Sequence, residues 1–359
     1  MRNLKVIEIA SVLAGPAVGQ FFVELGAEVI KIENATTSGD MTRKWKNPNE
    51  IHNKNVSAYF ASVNFGKTHL FYDLKSEQGY TDTIELIKKA DIVVCNFKTG
   101  DAEKLKLDFE TIKKVNSKII YATIYGFGKD DPRVAFDMIL QAETGYLSMN
   151  GFPGKPNAKM PVAFIDLLTA HQLKEGILVA LLQREKVNKP QLVEVSLVES
   201  AIASLTNQAS NWLTSGFLPQ PMGSLHPNIA PYGDVILTKD NVQLITALGT
   251  DKQFVSFCKL LNCALFAEPD FYTNQNRVKN RNKLIEKLNE LSVLYTSDEL
   301  IKECIKHKVP VSRINNLKQL FDTETAKQMV VEDVVNGEIL RRVKTVTFKI
   351  SLGLKQIVD

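Results

Sequence analysis

The stretch KVIEIASVLAGPAVGQFFVELGAEVIKIE, residues 5–33, decides the fold. It begins with a short run rich in valine and isoleucine at 5–9 and ends with a similar run at 28–33, and such runs are typical of buried strands. Between them, residues 15–26 follow a helical pattern that a glycine opens. A strand, a helix and a second strand in this order predict two parallel strands with the helix packed against one face.

Strands and helices keep alternating through the first two hundred residues. The further β-rich runs lie at 69–74, 91–97, 118–128 and 192–196, and the helical patterns at 76–90 and 109–116. This repetition predicts the α/β fold class, with a Rossmann-like parallel sheet that helices cover on both faces. Ligands of such sheets bind beyond the carboxyl ends of the strands, where loops meet helix N-termini.

A proline-rich crossing follows the predicted sheet and suggests a second domain. The segment LPQPMGSLHPNIAPYGD, residues 218–234, carries four prolines, which indicates a linker. After it, a hairpin-like pair at 233–248 and several helical segments predict a smaller α+β domain. We therefore predict a large domain that begins with residues 1–215, a small domain at 225–315, and a C-terminal segment at 325–359 that returns to the large domain.

The C-terminal segment contains the strand-like run TVTFKISLG, residues 345–353. An isolated strand cannot satisfy its own backbone hydrogen-bonding groups, so this run needs a sheet edge elsewhere. We expect it to return to the first sheet or to reach a partner subunit.

Composition and charge exclude several classes of protein. Apolar residues make up 44% and charged residues 23% of the chain, as in an ordinary globular protein. The net charge of +4 is too small to indicate a nucleic-acid or membrane-surface partner. No apolar run approaches the roughly 18 residues of a membrane span. Because the four cysteines form no C-x-x-C pair, we expect free thiols rather than disulfides or a metal site. Glu8 interrupts the apolar region that a signal peptide would need, so we expect a cytoplasmic protein.

One carboxylate, Asp166, stands just ahead of a helical pattern in PVAFIDLLTAHQLKEGILVALLQRE, residues 161–185. One interpretation is an N-cap, because aspartate accepts backbone N–H bonds at a helix start. The other is a nucleophile that the helix dipole holds ionised while apolar neighbours exclude water. The two are compatible. His171 lies about 140° further around the helix, so it would not face Asp166, and we interpret it as a surface residue.

Basic residues follow the ends of several predicted strands. Singly, each is expected to be a solvated surface charge, but together at one sheet edge they would suit a polyphosphate. They are Arg43, Lys67, Lys75, Lys98 and Lys104. The segment AGPAVGQ, residues 14–20, opens a helix with glycine but lacks the G-x-G-x-x-G spacing, and the chain has no nucleophile elbow, P-loop or H-E-x-x-H.

With these segments in order, the chain resembles the class III CoA-transferases, the family of formyl-CoA:oxalate and carnitine CoA-transferases that also includes the α-methylacyl-CoA racemases. The likeness covers nearly the whole chain, in residues 6–33, 63–79, 90–100, 118–128, 136–151, 162–185 and 226–233. It implies that Asp166 is the catalytic aspartate, which forms covalent acyl and CoA adducts. It also implies a Rossmann-like large domain joined to a small domain, and two subunits interlocked as a homodimer.

The resemblance further implies that CoA and acyl-CoA bind as substrates together with a small carboxylic acid, with no metal and no permanently bound cofactor. The CoA contacts carried over by matching position are Leu13, Ala14, Arg43, Tyr72, Lys75, Asn96, Phe97, Lys98, Lys104 and Tyr125.

The sequence departs from the family pattern near the predicted nucleophile, which keeps alternatives open. Ile165 and Ala170 replace glycines, and the segment 247–254 has one glycine where a glycine-rich lid is expected. One alternative is an α-methylacyl-CoA racemase. That branch uses a histidine of a His-Asp pair as its second base, and here the pair is Phe136-Asp137. The other alternative is a non-catalytic CoA-binding protein.

Overall fold

The computed structural model describes residues 1–51, 54–335, 338–352 and 355–356. Its main sheet has six parallel strands in the order β3-β2-β1-β4-β5-β6, which confirms the predicted parallel α/β architecture. This is the order of doubly wound dinucleotide-binding sheets, whose direction of winding switches between β1 and β4. The strands are β1 Lys5–Ile9, β2 Glu28–Asn34, β3 Thr68–Tyr72, β4 Ile92–Cys95, β5 Ile120–Tyr125 and β6 Gln191–Ser196.

Sixteen α-helices occur in the described part of the chain, and none of them is long and apolar enough to cross a lipid bilayer. Those before residue 220 are α1 Ala14–Glu24, α2 Ala58–Ala61, α3 Glu77–Lys88, α4 Asp101–Lys104, α5 Phe109–Val115, α6 Asp137–Glu143, α7 Tyr146–Met149, α8 Phe164–Arg184, α9 Leu197–Ala203 and α10 Thr206–Ser215. Those after it are α11 Asp251–Leu260, α12 Asn274–Lys279, α13 Arg281–Ser292, α14 Ser297–Lys306, α15 Leu317–Phe321 and α16 Glu324–Met329.

Helices bury both faces of the parallel sheet. Val18 and Phe22 of α1 pack with Leu173 and Ile177 of α8 on one face, and α3 and α5 cover the other. Because both faces are covered, the central strand β4 is a continuous buried apolar run. The edge strand β6 instead alternates between half-buried and exposed residues over most of its length. The helix α1 lies very close to β1 at Gly19, where a Cβ would overlap the Glu8 carboxylate. This close approach explains why the deciding stretch needs glycine in its helix.

The chain divides into two compact units. The first contains residues 1–147, 159–219 and the described residues from 328 onward, and the second contains 148–158 and 220–327. The second unit has a three-stranded antiparallel sheet, and its first two strands confirm the predicted hairpin. The strands are β7 Tyr232–Leu237, β8 Gln243–Ala247 and β9 Val311–Arg313. Phe254, Phe257 and Leu288 lie in its hydrophobic core.

The C-terminal segment packs on α1 in a way that the sequence did not predict. Its strands form two small antiparallel pairs, β10 Val330–Val335 with β11 Glu338–Val343 and β12 Ser351–Leu352 with β13 Lys355–Gln356. Our predicted strand at 345–353 is wrong for residues 345–350, which have no regular structure. The Glu24 carboxylate accepts the backbone N–H groups of Thr345 at 2.9 Å and Val346 at 2.8 Å and pairs with Arg342. A side chain, not a neighbouring strand, satisfies the backbone at these two positions.

Candidate active site

Asp166 lies one turn further into its helix than the sequence suggested. The helix α8 begins at Phe164, so Asp166 is its third residue and not its N-cap. The N-cap is Ala163, and the Asp137 side chain, from outside the helix, accepts N–H groups of the first turn. Its Oδ1 accepts the backbone N–H groups of Ile165 at 2.8 Å and Asp166 at 3.3 Å, while Gln141 donates to its Oδ2 at 2.5 Å. The carboxylate of Asp166 therefore remains available, and within the described part of the chain it makes no hydrogen bond.

The electrostatic environment of Asp166 favours its protonated form. The residue is 8% exposed. Burial and then the negative charge of Asp137 raise the pKa of Asp166 to about 7. In one of the two interpretations of the sequence, the helix dipole keeps this group ionised, but the N–H groups of Ile165 and Asp166 are bonded to Asp137. Near neutral pH, Asp166 exchanges between a carboxylate and a carboxylic acid.

Asp166 lines a cavity of about 190 Å³ at the carboxyl ends of the parallel strands, which we call the Asp166 cavity. The loop after β1 and the loop after β4 form one wall of this cavity. These two strands are neighbours in the sheet, and the direction of winding switches between them. The two loops are joined by Asn96, whose side chain accepts from the Ser11 N–H at 3.0 Å and donates to the Ser11 carbonyl at 2.9 Å. The site thus occupies the position where sheets of this order bind their ligands.

A second cavity of about 630 Å³ adjoins the first, and we call it the lysine-lined cavity. The two share part of their lining, namely Ser11, Met41, Asn96, Phe97 and Lys98. Lys44 and Lys75 add further ammonium groups to the second cavity. Lys31 also lines it, but its ammonium group is paired with Glu8 and Asp40. The carboxylates in the lining are Glu33, Asp40, Asp73 and Asp101. Together the two cavities form a groove with a carboxylate at one end and several cations at the other, which suits an extended ligand with an anionic tail.

Most of the residues predicted to meet the ligand line this groove. Leu13, Ala14, Asn96, Phe97, Lys98 and Tyr125 line the Asp166 cavity, and Lys75 lines the lysine-lined cavity. Arg43, Tyr72 and Lys104 are absent from the described lining of both. Tyr72 packs against the hydrophobic core beside β3, and Lys104 pairs with Asp101 while its side chain is 75% exposed.

Arg43 is enclosed by partners of its own. Its Nε donates to Glu33 Oε2 at 2.7 Å and its Nη2 donates to Oε1 at 2.5 Å, and its guanidinium lies 3.8 Å from the ring centre of Phe60. Burial alone would raise the pKa of Glu33, but the hydrogen bonds from Arg43 and His69 lower it well below its usual range. In this conformation the Arg43 charge is neutralised by Glu33.

Four buried charged residues, which we call the buried charge cluster, lie under the loop after β1. They are Glu8, Lys31, Asp40 and Lys67. The Lys31 ammonium lies 2.9 Å from Glu8 and 3.2 Å from Asp40, and Lys67 lies 2.7 Å from Glu8. Burial alone would lower the pKa of Lys31, but the charges of Glu8 and Asp40 raise it. Removing one partner of such a group leaves an uncompensated buried charge, which is strongly destabilising.

The buried charge cluster also fixes the loop that lines the Asp166 cavity. Val12 has a positive φ of 71°, which is uncommon for a β-branched residue. Its N–H donates to Asp40 Oδ2 at 3.1 Å, and Lys31 donates to the Ala10 carbonyl at 2.5 Å. Sequence reasoning missed this cluster. The deciding stretch contained an indication of the cluster, because Glu8 and Lys31 are charged residues within apolar runs. In the structure they lie opposite each other on β1 and β2.

Tyr59 is a further polar group near the carboxylates that the sequence did not single out. Burial, followed by the charges of Asp166, Asp137 and Asp40, raises the pKa of Tyr59 to about 12. Its hydroxyl therefore stays protonated at neutral pH and can donate a hydrogen bond to a nearby oxyanion.

Comparison with known proteins identifies the family of this chain. The sequence model of CoA-transferase family III matches residues 1–357. The chain belongs to this family. A solved structure of a CaiB/BaiF family protein from Brucella suis aligns with a TM-score of 0.82 at 35% identity, and it covers 96% of this chain and 92% of that one.

Two relatives named as CoA-transferases are similar to the chain over most of their length. The chain is 35% identical to a succinate–glutarate CoA-transferase of Agrobacterium fabrum over 89% of this chain and 81% of the relative. It is 30% identical to a succinyl-CoA:mesaconate CoA-transferase of Haloarcula hispanica over 89% and 81% of the two chains. Membership of the family and these relatives support an enzyme that transfers CoA, with CoA thioesters as substrates.

Proposed function

We propose that this protein transfers CoA between an acyl-CoA thioester and a carboxylic acid through covalent intermediates on Asp166. The observation that carries the proposal is the state of this carboxylate. It lies buried at the carboxyl ends of the strands, and no backbone N–H group of the described residues donates to it. It faces a groove that has lysines at its other end. Lys75 and Lys98 are assigned to the phosphates of CoA, and Leu13, Ala14, Asn96, Phe97 and Tyr125 to the pantetheine and thioester. Contacts of CoA with Arg43, Tyr72 and Lys104 stay predictions.

The reaction begins when an Asp166 oxygen attacks the thioester carbonyl. The C–S bond breaks, CoA leaves as a thiolate, and the acyl group and Asp166 form an anhydride. The thiolate then attacks the Asp166 carbonyl of this anhydride, which releases the donor acid as a carboxylate and leaves a thioester between Asp166 and CoA. The acceptor carboxylate attacks that thioester, and the thiolate released attacks the acceptor side of the second anhydride. The new acyl-CoA leaves and the Asp166 carboxylate is restored.

The raised pKa of Asp166 helps the first step of this sequence. A thiol has a pKa of about 8.5 and an ordinary aspartic acid a pKa of about 3.9, so exchanging a thioester for an anhydride is uphill. A pKa of about 7 for Asp166 narrows this difference. The rest of the unfavourable free energy of anhydride formation is offset by binding of the nucleotide end of CoA, which is remote from the reacting bond.

The proposed substrates are short dicarboxylic acids and their CoA thioesters, because the named relatives act on succinate, glutarate and mesaconate. The test supplies succinyl-CoA with glutarate, mesaconate, oxalate or butyrate and identifies the CoA thioesters formed by mass spectrometry. We expect glutaryl-CoA or mesaconyl-CoA to form faster than butyryl-CoA. Failure to form any new thioester would contradict the proposed function. Asp166-dependent exchange of the α-proton of a 2-methylacyl-CoA in deuterated water, without an acceptor, would favour the racemase.

The proposal includes an interlocked homodimer. Several large apolar side chains of α9, α10 and the residues after them are exposed, which supports a protein partner that covers them. They are Ile202, Trp212, Leu213, Phe217 and Leu218, of which Leu213 is 80% exposed. We expect an interface above the roughly 2,000 Å² at which permanent assemblies begin. A cytoplasmic location stays a prediction.

Light scattering of a diluted sample tests this assembly. Interlocked chains separate only by partial unfolding, so we expect twice the 40.1 kDa chain mass at every concentration. A folded monomer of 40.1 kDa that persists on dilution would contradict the interlocked dimer.

A further inference from the structure

A dicarboxylate substrate presents a second negative charge to the Asp166 cavity. One of its carboxyl groups reacts at Asp166, and the other can pair with a cation in the cavity lining. Among the described residues that line the Asp166 cavity, only Lys98 and Arg133 carry a positive charge. Lys98 also lines the lysine-lined cavity, whereas Arg133 does not.

We propose that Arg133 binds the distal carboxylate of the substrate and so determines the preference for dicarboxylic acids. This inference rests on the proposed function. A guanidinium suits the role because its planar array of donors matches a carboxylate in two-point geometry.

The Arg133 guanidinium is held in a defined position before any ligand binds. It lies 3.7 Å from the ring centre of Phe127, and its Nη2 donates to Asp131 Oδ2 at 2.8 Å. The backbone of Asp131 is itself fixed, because the Thr99 hydroxyl donates to the backbone carbonyl of Asp131 at 2.9 Å. Gly126 at the end of β5 helps to place this loop, since the Ala135 methyl group occupies the space where its Cβ would be.

Arg133 has capacity for a further carboxylate. Asp131 binds two of its nitrogens, because Nε donates to Oδ1 at 3.1 Å and Oδ2 at 3.0 Å and Nη2 donates to Oδ2 at 2.8 Å. This leaves a second N–H on Nη2. Its Nη1 meets the two oxygens of Glu143 at 3.0 and 3.2 Å. Both side chains of this ion pair are exposed, Arg133 at 53% and Glu143 at 46%. Exposed pairs of this kind contribute little stability, so a substrate carboxylate can replace Glu143 on Arg133.

Two variants with opposite expected effects test the proposal. Arg133→Gln removes the counter-ion, and we expect the KM for glutarate to rise roughly tenfold to hundredfold while kcat changes little. Glu143→Gln removes the competing carboxylate and should lower the KM for glutarate. Lys129→Gln is the matched control, because Lys129 is exposed and lies outside the described lining of the Asp166 cavity. Its KM for glutarate should equal that of the wild type.

The measurements use one fixed concentration of succinyl-CoA, with glutarate or the five-carbon monocarboxylate pentanoate as acceptor. In Arg133→Gln, the ratio of kcat/KM for glutarate to that for pentanoate should fall at least about tenfold. Circular dichroism checks that each variant is folded. An unchanged KM for glutarate in folded Arg133→Gln would overturn the inference and leave the proposed function standing, provided that the wild type transfers CoA. Absence of transfer by the wild type would overturn both.

Discussion

Asp166→Asn is expected to abolish CoA transfer, with turnover falling by roughly 10⁴-fold or more. An amide does not form the anhydride, so the covalent route is lost. The wild type, incubated with acyl-CoA and digested, should yield a mass-shifted peptide that contains Asp166, and the variant should not. Glu175→Gln is a matched control, because Glu175 is an exposed carboxylate on the same helix, α8. It should turn over like the wild type.

Loss of turnover in Asp166→Asn should not result from unfolding. The pKa of Asp166 is higher in the folded protein than its ordinary value of 3.8, so the folded state binds the proton more tightly than the unfolded state. This group's contribution to the free energy of unfolding therefore falls as the pH rises from about 4 to about 7, by about 1.4 kcal/mol for each unit of pKa difference. A neutral asparagine avoids that loss. We expect the variant to be at least as stable as the wild type at pH 8, and near-normal turnover would exclude Asp166 as the nucleophile.

The pH dependence of kcat/KM is expected to show an inflection near pH 7. The reactive form of Asp166 is the carboxylate, and its pKa is raised to about 7. Below that value the rate should fall about tenfold per pH unit, so that at pH 5 it is about 100-fold below its plateau. A rate that stays level between pH 5 and pH 8 would contradict this expectation.

Asp137→Asn should move the same inflection to lower pH. The substitution removes the negative charge beside Asp166, and the asparagine Oδ1 can still accept the N–H groups of Ile165 and Asp166. Asp130→Asn removes an exposed carboxylate that lies outside the described lining of the Asp166 cavity, so its profile should match that of the wild type. If Asp137→Asn leaves the inflection in place, Asp137 does not set the basicity of Asp166.

The local pattern of the sequence was sufficient to predict the parallel sheet. The strands β1, β2 and β4 of the parallel sheet are rich in valine and isoleucine and have a helical pattern beside them in the sequence. The hairpin of β7 and β8 could also be predicted from the sequence pattern. The run at 345–350 has the same composition but lies on α1, where Glu24 accepts backbone N–H groups. Composition alone does not distinguish these two environments.

Lys98 could be singled out because it directly follows a strand, and it lines the Asp166 cavity. Leu13 and Asn96 were named only because the chain resembles the family, and they line the same cavity. Contacts between distant parts of the chain were not predictable. Asp137 caps the helix of Asp166 from 29 positions earlier in the sequence, so the local pattern pointed to Asp166 as the cap. Arg133 lies in a loop without periodicity, and only the three-dimensional structure brings it to the cavity.

The attachment of the C-terminal segment to α1 has a consequence for biosynthesis. A ribosome makes residues 1–219 first, then most of the second unit, and only afterwards the residues that bind Glu24. The helix α1 thus leaves the ribosome long before Arg342, Thr345 and Val346 exist to cover its end. During that interval the nascent chain carries an uncovered Glu24 and the neighbouring ring of Phe21, which later faces Phe348. The earliest-made helix is therefore among the last parts of the protein to acquire its full set of neighbours.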